Sequence, residues 1–252
     1  MSKEQRASDK YQVAAIILAA GSSSRMCGIK KEYQKIDNTD LTVLGSAVSA
    51  FAAFAGVIVI AVPENGEAAA RQVLPPELFN DCNPEIIFVN GGNTRRASVF
   101  NALSALVSHN PCYVLIHDGA RPWVSEILIE NIIAAAEKHC AAIPVLPMTD
   151  TPKLIENGEW RIEKSEKNPG TDEQVIGFIK THLKRESVFL AQTPQGFKFP
   201  EIFHAHQKAA EVNNEEFTDD AEIWGRFVGK VAVVPGEPEN KKITFLKDLK
   251  NN

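Results

Sequence analysis

Short apolar runs alternate with segments of helical periodicity over residues 13–146, and this alternation constrains the fold more than any other feature of the chain. Runs of five to seven aliphatic residues without polar alternation are typical of strands buried on both faces of a sheet. We predict such strands at 13–18, 56–62, 85–89, 112–116 and 140–146. Strands that alternate with helices predict an α/β fold with a Rossmann-like, mostly parallel sheet and helices on both faces.

Helices are predicted between these strands. In the segment 94–107, Val99, Leu103 and Leu106 recur at helical spacing, and Ser125 is in the position of an N-cap for a helix over 125–138. Two earlier helices are predicted at 43–54 and 64–74. After residue 187 we predict strands at 188–191 and 231–234, and helices at 201–212 and 219–227.

The α/β rhythm breaks at residue 149, where the chain becomes polar and poor in core residues. We therefore predict one domain over 13–245, with 149–190 as a protruding arm and 1–12 as a polar N-terminal tail. Within the arm, Glu-Asn-Gly-Glu at 156–159 predicts a hairpin turn, and 164–172 has the composition of a loop. A chain of 252 residues is long enough to bury a core without disulfides.

Composition excludes several classes of protein. A formal net charge of −5 argues against a protein that coats nucleic acid. The four cysteines include no Cys-x-x-Cys pair, which favours a reducing cytoplasm, and Cys112 and Cys140 head apolar runs where buried thiols are common. The uncharged stretch 41–62 is long enough to span a bilayer, but Gly56 and the β-branched run after it favour a helix that leads into a buried strand.

A motif of small residues follows the first strand: Leu-Ala-Ala-Gly-Ser-Ser-Ser-Arg-Met at 18–26. Small residues let the backbone approach a nucleotide, and successive N–H groups can surround phosphate oxygens. Arg25, Lys30 and Lys31 add positive charge that suits a triphosphate. The spacing fits neither a Walker A loop nor a dinucleotide-binding loop. Its position after the first strand favours phosphate binding over an ordinary surface loop.

Two further motifs stand at the ends of predicted strands. Gly-Gly-Asn-Thr-Arg-Arg-Ala-Ser at 91–98 could present backbone groups and the Ser98 hydroxyl to a base, although the motif by itself favours an ordinary glycine turn with a polar helix start. His-Asp-Gly-Ala-Arg-Pro at 117–122 puts Asp118 where α/β sheets bind ligands, and a carboxylate there suits Mg²⁺. The alternative is an Asp118–Arg121 ion pair that closes a loop. His117 is interpreted as a structural residue.

Three later motifs complete a pattern. They are Gln-Thr-Pro-Gln-Gly-Phe at 192–197, Phe-Thr-Asp-Asp-Ala at 217–221, with Thr218 as the expected helix N-cap, and Glu-Asn-Lys-Lys-Ile-Thr at 239–244. Together with the earlier motifs, and in the same order, they resemble the 2-C-methyl-D-erythritol 4-phosphate cytidylyltransferase family. The nearest relatives of that family are ribitol 5-phosphate cytidylyltransferases. The resemblance covers roughly 13–244 and implies a nucleotide-diphospho-sugar transferase-like fold.

The resemblance implies an enzyme that converts CTP and 2-C-methyl-D-erythritol 4-phosphate to 4-diphosphocytidyl-2-C-methyl-D-erythritol and pyrophosphate, in non-mevalonate isoprenoid biosynthesis. Ribitol 5-phosphate is the alternative acceptor, and a non-catalytic nucleotide-binding protein on the same fold is a further alternative. The resemblance also implies Mg²⁺ as cofactor and a cytoplasmic homodimer whose arm completes the neighbour's acceptor site. No nucleic-acid or membrane partner is expected.

The resemblance also implies roles for individual residues. The catalytic residues would be Arg25, Lys31 and Lys242, with Lys30 as a substitute for Lys31 because the gap from Arg25 is one residue shorter than in the family. The residues around the CTP base would be Ala19, Ala20, Gly21, Gly92, Asn93 and Ser98. The acceptor phosphate would be bound by Thr151, Arg185 and Thr193, and the metal by Asp118 and Asp219.

Overall fold

The computed structural model describes residues 12–21, 30–80, 83–156, 178–212 and 217–249. The chain divides into two compact units: an arm unit, Leu146–Leu190, and a main unit made of Met1–Val145 and Ala191–Asn252. The loop predicted at 164–172 and residues 157–159 of the predicted hairpin turn lie outside the described residues.

The strands appear at every predicted position, with small shifts of their ends. In chain order they are β1 Val13–Leu18, β2 Val57–Val62, β3 Glu85–Asn90, β4 Tyr113–Asp118, β5 Ala141–Pro147, β6 Lys153–Ile155, β7 Ile179–His182, β8 Phe189–Ala191, β9 Gln195–Lys198 and β10 Ala232–Pro235. The large sheet runs in the order β10-β5-β9-β4-β1-β2-β3. Strand β1 pairs in parallel with both β2 and β4, so the mostly parallel α/β sheet is confirmed.

One central strand was not predicted. Strand β9 pairs antiparallel with β4 on one side and with β5 on the other. Its four residues, Gln-Gly-Phe-Lys, contain no apolar run, so the sequence pattern carries no strand signal. Gly196 is required here because a Cβ at that position would lie 2.6 Å from Cγ2 of Ile132, on the helix that covers the strand.

The helices are also where they were predicted, although several are shorter. They are α1 Val43–Ser49, α2 Glu67–Gln72, α3 Arg95–Ala105, α4 Glu126–His139, α5 Phe199–Glu211 and α6 Asp220–Phe227. Ser125 caps α4 as predicted, because its side chain accepts a hydrogen bond from the backbone N–H of Leu128. The prediction of Thr218 as N-cap of α6 is wrong: Asp219 accepts from the N–H of Glu222, while Thr218 donates to the Glu222 carboxylate.

Helices cover both faces of the sheet, as the alternation predicted. Alternate residues of β1 point to opposite faces, so Ala15 and Ile17 pack with one cluster and Ala14 and Ile16 with the other. The first cluster contains buried residues of α1, α2 and α4, and the second contains those of α3, α5 and α6. The core therefore lies between two helical layers and the sheet.

Two expectations about apolar segments had different outcomes. Cys112 and Cys140 are free thiols but exposed, which contradicts their expected burial; Cys140 ends α4 in a left-handed conformation with φ 68°. Within the described ranges, no helix combines the length and the apolar character that crossing a membrane requires. The stretch 41–62 divides into α1 and β2, as predicted.

The arm unit has little core of its own. Strands β6 and β7 form a two-stranded antiparallel sheet, in agreement with a hairpin. Leu154, Ile179 and Phe178 are all exposed, with Phe178 at 71% of its full accessible surface. A pair of strands with exposed apolar side chains is marginally stable in water by itself.

Candidate active site

The carboxyl ends of β1, β3 and β4 open into one cavity of about 470 Å³. Backbone hydrogen bonds join neighbouring strand ends: the N–H of Gly119, after β4, donates to Leu18 of β1 at 3.0 Å, and the N–H of Ala19, after β1, donates to Ala61 of β2 at 2.8 Å. In the sheet order, β1 separates β2 and β3 from β4, so the chain changes direction across the sheet at this point. Open α/β sheets bind ligands at such a switch point, and the volume is that of a small-molecule pocket.

The cavity brings together most of the residues that the sequence pointed to. Those that line it are Ala20, Gly21, Lys31, Gly92, Asn93, Ser98, Asp118 and Lys242. Lining residues to which the sequence analysis gave no role are Leu18, Glu32, Thr94, Arg95 and Ala120. Ala19 is fully buried in the core and is not among the lining residues.

Three cationic side chains surround the Asp118 carboxylate at this cavity. Its Oδ2 lies 2.8 Å from Nζ of Lys242 and 3.6 Å from Nε of Arg121, and its Oδ1 lies 3.9 Å from Nε of Arg95. Burial opposes ionisation, but Lys242, Arg95 and Arg121 outweigh it and hold the pKa of Asp118 well below its usual range. The Asp118–Arg121 ion pair is therefore present, and it coexists with a cationic site suited to a polyanion.

Arg95 is the functional residue that sequence reasoning missed. It begins α3, one position after the N-cap Thr94, and its Nη2 lies 2.8 Å from Oδ2 of Asp220. Burial works against its charge, but Asp220, Asp118 and Asp219 raise the pKa of Arg95 above its ordinary value. Arg95 thus links Asp118, one of the two predicted metal ligands, to Asp220, the neighbour in sequence of the other. Its place at the helix start after a Gly-Gly turn was visible in the sequence, but its acidic partners are distant in the chain.

The Gly-Gly turn and Ser98 form one rigid unit. Oγ of Ser98 accepts from the N–H of Gly92 at 3.0 Å and lies 3.0 Å from the carbonyl of Thr94, to which it must donate. A side chain on Gly92 would overlap with Cβ of Ala97. Because the Ser98 proton is used by Thr94, this hydroxyl can serve a ligand only as a hydrogen-bond acceptor.

The two candidate lysines that follow the small-residue motif differ in placement. Nζ of Lys30 donates to the carbonyl of Gly21 at 2.6 Å, and Lys30 is not among the lining residues. Lys31 lines the cavity. The geometry therefore favours Lys31 as the lysine that faces a bound ligand.

Lys242 reaches the cavity because buried amides fix the segment that carries it. Gln192 donates from Nε2 to the carbonyl of Glu237 at 2.8 Å and accepts from the Glu237 N–H at 3.0 Å. Nδ2 of the buried Asn240 donates to the backbone carbonyl of Thr193 at 2.8 Å. The backbone carbonyl of Asn240 accepts from Nη1 of Arg121 at 2.6 Å. These bonds hold 237–243 against the strand ends.

Thr193 lies beneath the site rather than in it. Nε2 of His117 lies 3.0 Å from the carbonyl of Arg121 and must donate, so Nδ1 accepts from the Thr193 hydroxyl at 3.1 Å. The same hydroxyl accepts from the N–H of Asp118 at 3.1 Å. Burial lowers the pKa of His117 to about 4, which keeps it neutral. His117 is thus structural, as interpreted from the sequence, and Thr193 has no spare proton for a phosphate.

The other predicted residues that the structure describes are not among the lining residues. Asp219 caps α6 and accepts from Nε2 of Gln195 at 2.8 Å, and it does not line the cavity. In the arm unit, Nη1 of Arg185 donates to the carbonyl of Thr149 at 3.0 Å, close in sequence to the exposed Thr151. Arg25 lies outside the described residues.

The side chains around Asp118 are compatible with a bound Mg²⁺ that keeps most of its waters. Among the described residues, no cluster of three or more His, Cys, Asp or Glu side chains forms a closed metal site. Mg²⁺ does not need one, because it keeps several waters and takes one or two carboxylates together with substrate phosphates. Nε of Arg95 lies 3.9 Å from Oδ1 of Asp118, beyond hydrogen-bond length, so this contact leaves the oxygen able to act as a metal ligand.

Comparisons with known proteins agree on one family. Residues 13–252 match the family described as 2-C-methyl-D-erythritol 4-phosphate cytidylyltransferase. Relatives named as bifunctional enzyme IspD/IspF come from a Chelativorans species, 36% identical over 248 residues, and a Bradyrhizobium species, 37% identical over 247 residues. Both alignments cover 94% of this chain but only 53% and 55% of the relative. The chain thus spans about half the length of these relatives.

Solved structures with the same fold cover the chain almost completely. The 4-diphosphocytidyl-2C-methyl-D-erythritol synthase of Anaerococcus prevotii has a TM-score of 0.75 at 27% identity, over 96% of this chain and 95% of its own. The 2-C-methyl-D-erythritol 4-phosphate cytidylyltransferase of Thermus thermophilus has a TM-score of 0.67 at 31% identity, over 94% of this chain and 95% of its own.

Proposed function

This chain belongs to the 2-C-methyl-D-erythritol 4-phosphate cytidylyltransferase family, and on that premise we propose that it catalyses the family's reaction. CTP and 2-C-methyl-D-erythritol 4-phosphate would give 4-diphosphocytidyl-2-C-methyl-D-erythritol and pyrophosphate, a step of isoprenoid biosynthesis. The observation that carries the proposal is the convergence of Lys242, Arg95 and Arg121 on Asp118 in a cavity that also contains the Gly-Gly turn. The cationic side chains at one end of the cavity would bind the triphosphate, and the backbone of the Gly-Gly turn and Ser98 at the other end would bind the base.

The base end favours a pyrimidine that offers a proton. The Ser98 hydroxyl can only accept a hydrogen bond from a ligand, because its proton is donated to Thr94. The exocyclic amine of cytosine donates a hydrogen bond, whereas the O4 of uracil accepts one. The close contact between Gly92 and Ala97 leaves the backbone no room to retreat from a larger purine. Cytosine is therefore the base that this turn fits best.

The reaction needs little proton transfer from the protein. An oxygen of the acceptor's phosphate attacks the α-phosphorus of CTP in line, and the bond from that phosphorus to the leaving pyrophosphate breaks. Such a phosphate is already ionised near neutral pH, so catalysis is mostly positioning and charge neutralisation. Lys31, Lys242 and Arg25 would neutralise the triphosphate, while Arg121 keeps Asp118 ionised.

Mg²⁺ is part of the proposal. Asp118 would hold it, and Asp219 would become the second ligand only by exchanging its contact with Gln195, because it does not line the cavity. When bound, the ion would neutralise charge on the phosphates. Lys242 would then exchange its contact with Asp118 for one with the triphosphate.

We also propose a cytoplasmic homodimer in which the arm completes the acceptor site. The arm unit's exposed Leu154, Phe178 and Ile179 would be buried against a second copy. Thr151 and Arg185 would then bind the acceptor's phosphate. The exposed free thiols Cys112 and Cys140 suit a reducing compartment.

A pyrophosphate-release assay tests the function. The chain is incubated with Mg²⁺, one nucleotide among CTP, UTP, ATP and GTP, and either 2-C-methyl-D-erythritol 4-phosphate or ribitol 5-phosphate. The proposal expects release only with CTP and methylerythritol phosphate. Faster release with ribitol 5-phosphate would replace the acceptor, equal use of ATP and CTP would refute the base assignment, and CTP binding without release would indicate a non-catalytic nucleotide-binding protein.

A further inference from the structure

A buried chain of polar contacts lies behind Arg95, away from the cavity. Asp220 is fully buried at the start of α6, and His206 of α5 is also fully buried. Nε2 of His206 lies 3.1 Å from Oδ1 of Asp220, and Oδ2 of Asp220 lies 2.8 Å from Nη2 of Arg95. Arg95 is 30% exposed, so its guanidinium spans from this buried contact to the cavity.

Packing alone does not explain this arrangement. A buried ion pair contributes little to stability, because the loss of hydration cancels much of the attraction, and apolar residues of similar size often serve as well. In addition, Nδ1 of His206 is buried without a hydrogen-bond partner among the described residues. An unpaired buried nitrogen costs free energy, and such costs persist mainly where a site depends on them.

The contacts do explain the orientation of Arg95. The Arg95 side chain has several rotatable bonds, and at the mouth of a solvent-filled cavity it would sample many rotamers. Asp220 holds one end of the guanidinium by an ion pair, and His206, which donates a hydrogen bond to the other carboxylate oxygen, fixes Asp220 in turn. Oδ1 of Asp118 lies 3.9 Å from Nε of Arg95, so Arg95 is at the end of the cavity where the proposed function puts the phosphates.

We infer that Asp220 and His206 are positioning residues that hold Arg95 in place to bind the nucleotide's phosphates. The inference rests on the proposed function, because it assumes that a nucleoside triphosphate occupies the cavity. Arg95 would contact the phosphates directly. Asp220 and His206 would act only through it, and therefore would affect the phosphate end and leave the base end unchanged.

The first test is a double-mutant cycle. Arg95→Gln and Asp220→Asn are each expected to lower kcat/KM for CTP about 10- to 100-fold, with the KM of the acceptor unchanged. If Asp220 acts through Arg95, the double variant is no worse than Arg95→Gln alone. Glu222→Gln, which removes an exposed carboxylate from the same turn of α6, is the matched control and keeps wild-type kinetics. Losses that multiply in the double variant would overturn the inference.

The second test uses His206, so that the answer does not depend on the stability of Asp220→Asn. His206→Gln keeps an N–H donor for Asp220, whereas His206→Leu does not. The inference expects His206→Gln to retain most of the activity and His206→Leu to reproduce the kinetics of Asp220→Asn. Equal kinetics for the two variants would overturn it, because only volume would then matter.

Binding experiments separate this inference from the proposed function. Calorimetric titration with CTP and with cytidine is compared for wild type and Asp220→Asn. Weaker CTP binding with unchanged cytidine binding supports the inference, even if the wild type turns over neither acceptor and the proposed reaction fails. Equal weakening of both ligands, or of neither, overturns the inference even if the wild type is fully active.

Discussion

The main unit and the arm unit hold their candidate residues in opposite ways. In the main unit, the cations around Asp118 lie within 4 Å of a carboxylate, and buried amides fix the segment that carries Lys242. In the arm unit, Thr151 and Arg185 are exposed, and Arg185 is bound through a backbone carbonyl at Thr149. The main unit therefore positions its candidate residues by its own contacts. The candidate residues of the arm unit would need a contact from outside that unit to be positioned equally well.

The largest expected effect tests the main unit. Asp118→Asn keeps the shape of the side chain but removes the charge to which Lys242, Arg95 and Arg121 are bound. We expect a folded protein whose kcat falls by about 100-fold or more, because charge stabilisation of the transition state is lost. Initial rates over a range of CTP and Mg²⁺ concentrations measure this. Glu156→Gln, an exposed arm carboxylate, should change nothing, and near-normal turnover by Asp118→Asn would exclude its role.

A slightly smaller effect is expected when the arm is removed. Replacing 153–183 by a short linker should give a monomer that binds CTP normally but whose kcat/KM for the acceptor falls about 100-fold, because the acceptor is no longer oriented. Sedimentation velocity and CTP titration measure the two properties separately. The melting temperature should change little, since the main unit keeps both of its core clusters. A deletion variant that is monomeric but fully active would show that the arm unit does not orient the acceptor.

A third, more moderate effect concerns the base. Ser98→Ala removes the acceptor lone pair and also loosens the Gly92 turn. The preference for CTP over UTP should fall about 10-fold, since one unmet hydrogen bond costs about 1–3 kcal/mol. Competition between the two nucleotides measures it directly. Ser104→Ala, on the outer face of α3, is the control. An unchanged preference for CTP in Ser98→Ala would show that Ser98 does not select the base and that only the backbone can.

The smallest effect is on stability. His117 is buried with a pKa of about 4, while the same side chain in the unfolded chain titrates near its ordinary pKa of 6.5. Between these values the unfolded chain binds more protons, so the free energy of unfolding should fall by about 1 kcal/mol for each unit of pH lost.

Urea unfolding of metal-free protein between pH 7 and pH 4 measures this slope. His117→Gln should flatten it, whereas His182→Gln, in an exposed strand of the arm unit, should not. A slope that is the same in all three proteins would show that other groups govern the acid limb. Because Asp118 and Asp220 have lowered pKa values, their contribution is lost only at more acidic pH.

The sequence predicted the sheet, the helical layers and most of the cavity because these depend on local patterns. Apolar runs mark β1 to β5, and the Gly-Gly turn follows β3 directly. Strand β9 could not be predicted, because its burial comes from neighbours on both sides rather than from its own residues.

The candidate site was predictable in its parts but not in its connections. Asp118 stood out at a strand end, yet the ion pairs that define it come from Arg95 and Lys242, which are remote in sequence. Thr193 was assigned to the acceptor, but tertiary packing turns its hydroxyl towards His117. Pairing between distant polar groups follows from the fold and leaves no periodic trace in the chain.

The amide contacts that fix Lys242 also set the order in which the cavity can form during synthesis. Lys242 follows Asp118 by 124 positions, which a ribosome adding about 5–20 residues per second needs roughly 6–25 seconds to make. During that interval β1, β2, β3 and β4 can pair, but Gln192 and Asn240 have not yet met. The nascent chain therefore acquires its sheet well before it acquires a nucleotide site, and a ligand in the complete cavity can stabilise the chain only after residue 242 has been made.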